Sequence, residues 1–218
     1  MELAPRVVTL CGQHVPCKHV CMFTESEDEQ YRILNPFFRE GLDAGEEVLT
    51  IVDANQRERH VRRMQAGGVP VDQATATGQL RVLASEDTYG RDGAFAAERM
   101  YALLEEVLEE AAHGQWGCVR VTGDAGWVLR NIEGSDELMA YEARVNMLTP
   151  GHECTLLCVY DINQCSGQVI ADALATHSHV LLGGRLHENP HYMPPMDFLQ
   201  KIALRRSHPA PVRSTQQR

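Results

Sequence analysis

Short apolar runs alternate along this chain with stretches whose apolar residues recur at steps of three and four. His19–Phe23 is a run rich in β formers, and Tyr31, Leu34, Phe37, Phe38 and Leu42 then repeat with the spacing of one helix face. Ser26 or Asp28 is placed to cap that helix and Gly45 to end it. Glu47–Asp53 is an apolar run closing on an acid, the look of a buried parallel strand. Residues 19–53 therefore predict a βαβ unit with a right-handed connection.

The alternation continues beyond this unit. The pattern predicts a basic helix over Gln56–Gln65, a loop or short helix over Val69–Gly78 and a strand over Gln79–Ala84. A long amphipathic helix follows over Phe95–His113, with Met100, Leu103, Leu104, Val107, Leu108 and Ala111 opposed by Glu105, Glu106, Glu109 and Glu110. Strands are expected at Cys118–Val121, Thr155–Asp161 and His179–Leu182, and helices at Ser135–Leu148 and Ser166–Ala175. Strands alternating with helices mean an α/β fold, a mostly parallel central sheet covered on both faces. Ligands of such sheets sit beyond the carboxyl ends of the strands, here the loops 24–29, 53–57, 85–93, 122–127 and 161–166.

The first of these loops decides what the fold is not used for. Nucleotide-binding βαβ units carry a glycine-rich loop with Lys and Ser/Thr, whose amides and cation cradle phosphates. Here the loop is Thr24-Glu25-Ser26-Glu27-Asp28-Glu29, with no glycine, no lysine and four carboxylates. A triphosphate would meet like charge.

Composition narrows the class further. Of the 218 residues, 44% are hydrophobic and 23% charged, as in ordinary globular domains. No apolar run reaches membrane-spanning length and no signal peptide is evident. Seven cysteines without a periodic framework suggest reduced thiols and a cytoplasmic protein. The net charge of −10 argues against nucleic-acid binding by the domain. From Lys201 the chain is basic and acid-free, so 201–218 is expected to be a disordered tail.

His19 and Cys21 stand two apart on one strand and so share a face. Their first reading is a satisfied histidine and a buried structural thiol. With Cys17, and with His14 and Cys11 nearby, they also form a candidate metal or thiol redox cluster, open to zinc, iron or haem. His177 and His179, with Cys158 and Cys165, make a second possible His/Cys group that the sequence does not connect to the first. Tyr89 and Trp127, in or beside glycine-containing loops, can wall a pocket, and Tyr160 and Asp161 end a strand at the ligand edge. No Ser-His-Asp elbow, H-E-x-x-H or dinucleotide fingerprint is present.

Several of these blocks occur in one order that resembles a known family. They are His19-Val-Cys21, Pro36 to Asp53, Glu86-Asp-Thr-Tyr89, Arg120-Val-Thr-Gly-Asp-Ala-Gly-Trp127, Tyr141-Glu-Ala-Arg-Val-Asn146, Leu157-Cys-Val-Tyr-Asp161 and Leu174-Ala-Thr-His177. Together they resemble the MEDS family (methanogen/methylotroph, DcmR sensory domain). The resemblance implies a three-layer RecA/KaiC-like fold without a working phosphate loop. It also implies a sensory role; with no catalytic motif in the sequence, a non-enzymatic protein requiring no cofactor is expected, a residual nucleotide-binding ATPase-like protein being the remaining alternative. The expected division is a lead-in at 1–12, the sensory domain at 13–200 and the tail. The expected ligand is a small molecule held by His19, Cys21, Tyr89, Trp127, Tyr160, Asp161 and His177. The signal would pass to a separate regulatory protein or to a second copy of the chain. The metal alternative rests on Cys17, His19 and Cys21.

Overall fold

The computed structural model of the chain describes residues 8–15, 18–88, 95–126 and 137–207. A small hairpin of β1 (Thr9–Leu10) and β2 (Gln13–His14) leads into β3 (His19–Thr24), α1 (Glu27–Asp43), β4 (Glu47–Val52), α2 (Arg57–Ala66), α3 (Val71–Ala76) and β5 (Leu80–Ala84). Then come α4 (Ala97–His113), β6 (Val119–Asp124), α5 (Leu138–Leu148), β7 (Cys154–Asp161), α6 (Gly167–Thr176), β8 (His179–Leu182), β9 (Arg185–Glu188) and α7 (Pro195–Ser207). Seven strands form one sheet in the order β5-β4-β6-β7-β3-β8-β9, parallel throughout except for β9 against β8.

Each strand turns alternate residues to opposite faces, and the two faces are covered by different helices. Val20, Met22, Val48, Leu157 and Val159 meet α1, α2 and α3 through Leu34, Phe37, Phe38, Met64 and Ala74. Cys21, Phe23, Leu49, Val121, Leu156 and Tyr160 meet α4 to α7 through Leu104, Leu108, Tyr141, Ala173 and Phe198. This is the three-layer α/β architecture expected from the alternation. Among the described residues, no helix is long and apolar enough to cross a membrane.

Ser26 accepts the Glu29 amide at 3.3 Å and so caps α1, which ends at Gly45 in the left-handed conformation, φ +75°. The helix runs through Pro36, with Phe37 and Phe38 beyond it fully buried. β3 and β4 are parallel members of one sheet, yet β6 and β7 lie between them. The βαβ crossover thus passes over two strands that arrive later in the chain.

Three boundaries differ from the pattern-based reading. The lead-in does not stop at residue 12, because Thr9 and Leu10 pair with His14 and Gln13, and Val8 and Leu10 are buried. β9 was not anticipated; it is short, largely exposed and antiparallel, so it carries no buried-run signal. The tail begins later than Lys201: α7 extends to Ser207, docked by buried Phe198 and Ile202 and by an Arg205–Asp172 ion pair at 2.8 Å. Two buried apolar side chains in thirteen residues make a sparse stripe beside three basic ones.

Candidate functional site

Among the described residues, a polar and an apolar cavity adjoin the carboxyl ends of the parallel strands. The larger, about 260 Å³, is polar and opens where β3, β4, β6 and β7 end, lined by Thr24, Ser26, Asp53, Asp124, Asp161 and Gln164 with Arg59 and His60. It occupies the position of a phosphate site, but its chemistry is inverted. Arg59 is paired with Glu27, and Arg63 with Asp28 at 2.5 Å. The basic face of α2 thus faces the acidic first turn of α1.

The carboxylates of this cleft are used by their own loops. Asp53 accepts the Asn55 amide at 2.8 Å, and Asp124 accepts that of Gly126 at 2.7 Å. Asp161 accepts from the Asn163 amide at 2.9 Å and from Gln164 at 2.7 Å. Burial pushes the Asp124 carboxyl above its ordinary value, against the pull of the Gly126 amide. His60 is held from both sides, by the Tyr31 hydroxyl at 2.6 Å and Thr50 at 3.1 Å, and burial lowers its pKa to about 4.

The second cavity, about 50 Å³, lies between the sheet and α4–α5. Its walls are Leu49, Ile51, Phe95, Met100, Leu104, Val107, Val121, Leu138 and Leu156, and its polar rim is Asp124, Tyr141, Glu142 and Cys158. By volume it admits a ligand of a few heavy atoms.

Against this cavity stands a buried polar cluster assembled from four elements. His19 comes from β3, Cys158 and Tyr160 from β7, Glu142 and Asn146 from α5, and His177 from the end of α6. The His19 Nε2 is 3.1 Å from the Glu142 carboxylate and 3.3 Å from the Cys158 sulfur. Cys158 donates to the same carboxylate at 3.4 Å, and the Tyr160 hydroxyl donates to its other oxygen at 3.3 Å. The His19 and His177 rings lie 4.1 Å apart. Burial works to raise the Glu142 carboxyl, but His19, His177 and Cys158 outweigh it and hold the group below its ordinary range. Burial and then the Glu142 charge drive both Cys158 and Tyr160 well upward. Burial, with His19, lowers His177 to about 3.

Of the residues singled out from sequence, His19, His177 and Cys158 meet in this cluster and Tyr160 supports it. Tyr160 faces the core on the side opposite Asp161, which lines the polar cleft. Cys21 is buried, in register with Cys158 on the neighbouring strand. Tyr89, Trp127 and Cys17 lie outside the described residues. Among the described residues of the Cys11–Cys21 stretch, Cys11 and His14 do not join His19 and Cys21. Cys11 and His14 are exposed in the β1–β2 hairpin, and Cys11 has Arg32 and Glu40 of α1 as its charged neighbours. Cys21 points to the opposite face of the sheet.

Sequence reasoning missed Glu142 and Asn146. The available signal was their i,i+4 spacing, which sets both on one face of α5 alongside buried Leu138 and Val145. Arg144 of α5 turns to Glu98, at 3.1 Å, and to the Tyr101 ring of α4.

The layer order and parallel sheet define a RecA/KaiC-like fold. A KaiC-like protein of Pyrococcus horikoshii aligns with TM-score 0.54 at 12% identity over 75% of this chain and 69% of its own. The flagellar accessory protein FlaH of Methanocaldococcus jannaschii aligns with TM-score 0.49 at 12% identity, covering 81% and 79%. At that identity the first likeness speaks for the fold alone. No curated protein sequence matches the chain. Residues 18–178 match the family described as MEDS, the methanogen/methylotroph, DcmR sensory domain, and the chain belongs to that family of sensory domains.

Proposed function

We propose that this chain is a non-enzymatic sensor of a small, largely apolar molecule that binds in the cavity between the sheet and α4–α5. The observation that carries this reading is the cavity itself: an apolar chamber with one polar end, in a member of a sensory family. Phe95 and Leu138 wall it just ahead of α4 and at the start of α5, so a ligand there bears on both helices. Occupancy acts by population shift, favouring whichever helix and loop arrangement the ligand fits better. The output passes to a separate regulatory protein or to a second copy of the chain.

The acid-lined cleft supports the absence of nucleotide chemistry, since the cation beside it, Arg59, is committed to Glu27. A thermal-shift screen of short-chain alcohols, amines and halogenated hydrocarbons tests the proposal. A compound at about a hundred times its Kd should stabilise the protein by about 2.7 kcal/mol, and Leu104→Phe, which narrows the chamber, should abolish the effect. A hit that stabilises Leu104→Phe equally well places binding elsewhere and overturns this assignment, as does a screen without hits.

A further inference from the structure

We propose that His19, Glu142, Cys158 and His177 form a binding site for one divalent transition-metal ion of the zinc class. Each residue offers one donor atom, and the four atoms lie within 4.8 Å of one another. An ion held at about 2.0–2.3 Å in tetrahedral geometry sets its ligands about 3.3–3.8 Å apart. The contacts His19–Glu142, His19–Cys158, Cys158–Glu142 and His177–Glu142 are 3.1, 3.3, 3.4 and 3.6 Å. Four of the six edges are thus near tetrahedral length, and the two from His177 to His19 and to Cys158 are within 4.8 Å.

The hydrogen bonds around the cluster aim the lone pairs inward. His177 donates from Nδ1 to the Ala173 carbonyl at 2.8 Å, leaving Nε2 as the unprotonated nitrogen. That Nε2 is fully buried and has no hydrogen-bond partner. The Asn146 amide nitrogen is committed to the Thr176 carbonyl at 2.8 Å and the Glu142 carbonyl at 3.2 Å, so its oxygen accepts from Nδ1 of His19 at 3.2 Å. His19 thereby turns Nε2 toward Glu142 and Cys158. Metal-bound histidines are held in this way, the far ring nitrogen donating to a carbonyl or amide oxygen.

The His19 and His177 ring nitrogens, the Cys158 sulfur and a Glu142 carboxylate oxygen converge on one point in the core. An ion at that point would replace these mutual contacts with four bonds. Binding releases the Cys158 thiol proton to solvent, and the thiolate and Glu142 together balance the two charges of the ion. Two imidazoles, a thiolate and a carboxylate favour zinc, iron or cobalt over magnesium or calcium. This site stands independently of the sensory reading, although Glu142 and Cys158 also edge the apolar cavity.

The test is cobalt loading of the full chain, purified without a histidine tag and stripped with chelator. One cobalt per chain is expected, with visible d–d bands and a near-ultraviolet thiolate-to-cobalt charge-transfer band. Cys158→Ser should lose the charge-transfer band, and His177→Gln should bind at least tenfold more weakly. The double variant Cys11→Ser/Cys17→Ser should bind as the unaltered chain does. Circular dichroism confirms that each variant is folded, and the spectrum of the unaltered chain stands by itself where one is not. Less than a tenth of an equivalent bound by the unaltered chain overturns the proposal. So does a charge-transfer band that survives Cys158→Ser but vanishes in the Cys11/Cys17 variant.

Discussion

Arg120 is a charged residue at the centre of a sheet, and its surroundings explain how it is tolerated. Its guanidinium pairs with buried Glu46, donates to the Phe37 carbonyl at 2.9 Å and lies over the Phe37 ring. Gly41 of α1 makes room for it, since a Cβ there would come within 2.7 Å of the arginine side chain. Removing one partner strands the other charge in the core. Arg120→Met is expected to cost about 3–5 kcal/mol in urea unfolding, whereas the pair Arg120→Met/Glu46→Leu should recover most of that loss. His60 supplies a pH dependence. Its folded pKa of about 4 lies below the ordinary 6.5, so its contribution is fully present above pH 6.5 and is lost as the pH falls towards 4. The full effect is on the order of 3 kcal/mol. Denaturation midpoints measured across this window should fall less steeply for His60→Gln than for the unaltered chain.

At the level of elements, α7 shows how a helix can escape its sequence pattern. Its basic composition suggests a solvated tail, yet Phe198 is fully buried against the α4–α7 layer and Arg205 meets Asp172. Phe198→Ala should therefore destabilise the fold by about 3–5 kcal/mol. Leu204→Ala on the exposed side should change the unfolding midpoint little. The central strands and α1 behave in the opposite way. Their apolar runs and Ser26 cap were legible because each buries a continuous face and ends on local backbone chemistry.

For the whole molecule, the charge arrangement at the carboxyl edge weighs against polyphosphate binding. Glu27 and Asp28 engage arginines of α2, and Asp53, Asp124 and Asp161 hold loop amides, so a polyphosphate would have to break these contacts while meeting net negative charge. Magnesium–ATP is expected to leave the melting temperature unchanged, and the pure chain should release no phosphate from it. A shift of several degrees, or turnover above background, would contradict the non-enzymatic reading.

The amino-acid sequence by itself determined the alternation of strands and helices, the disabled phosphate loop and the presence of His19, Cys158 and His177 as candidate chemistry. Those features are local: they depend on periodicity, caps and residue type. The tertiary structure decided what is non-local. It inserted β6 and β7 between β3 and β4, separated Cys11 from Cys21 on opposite faces of the sheet, and brought α5 over the strands so that Glu142 reached His19 across 123 positions of chain. Strand order and the packing of helices on the sheet set those distances, and a single sequence does not record either.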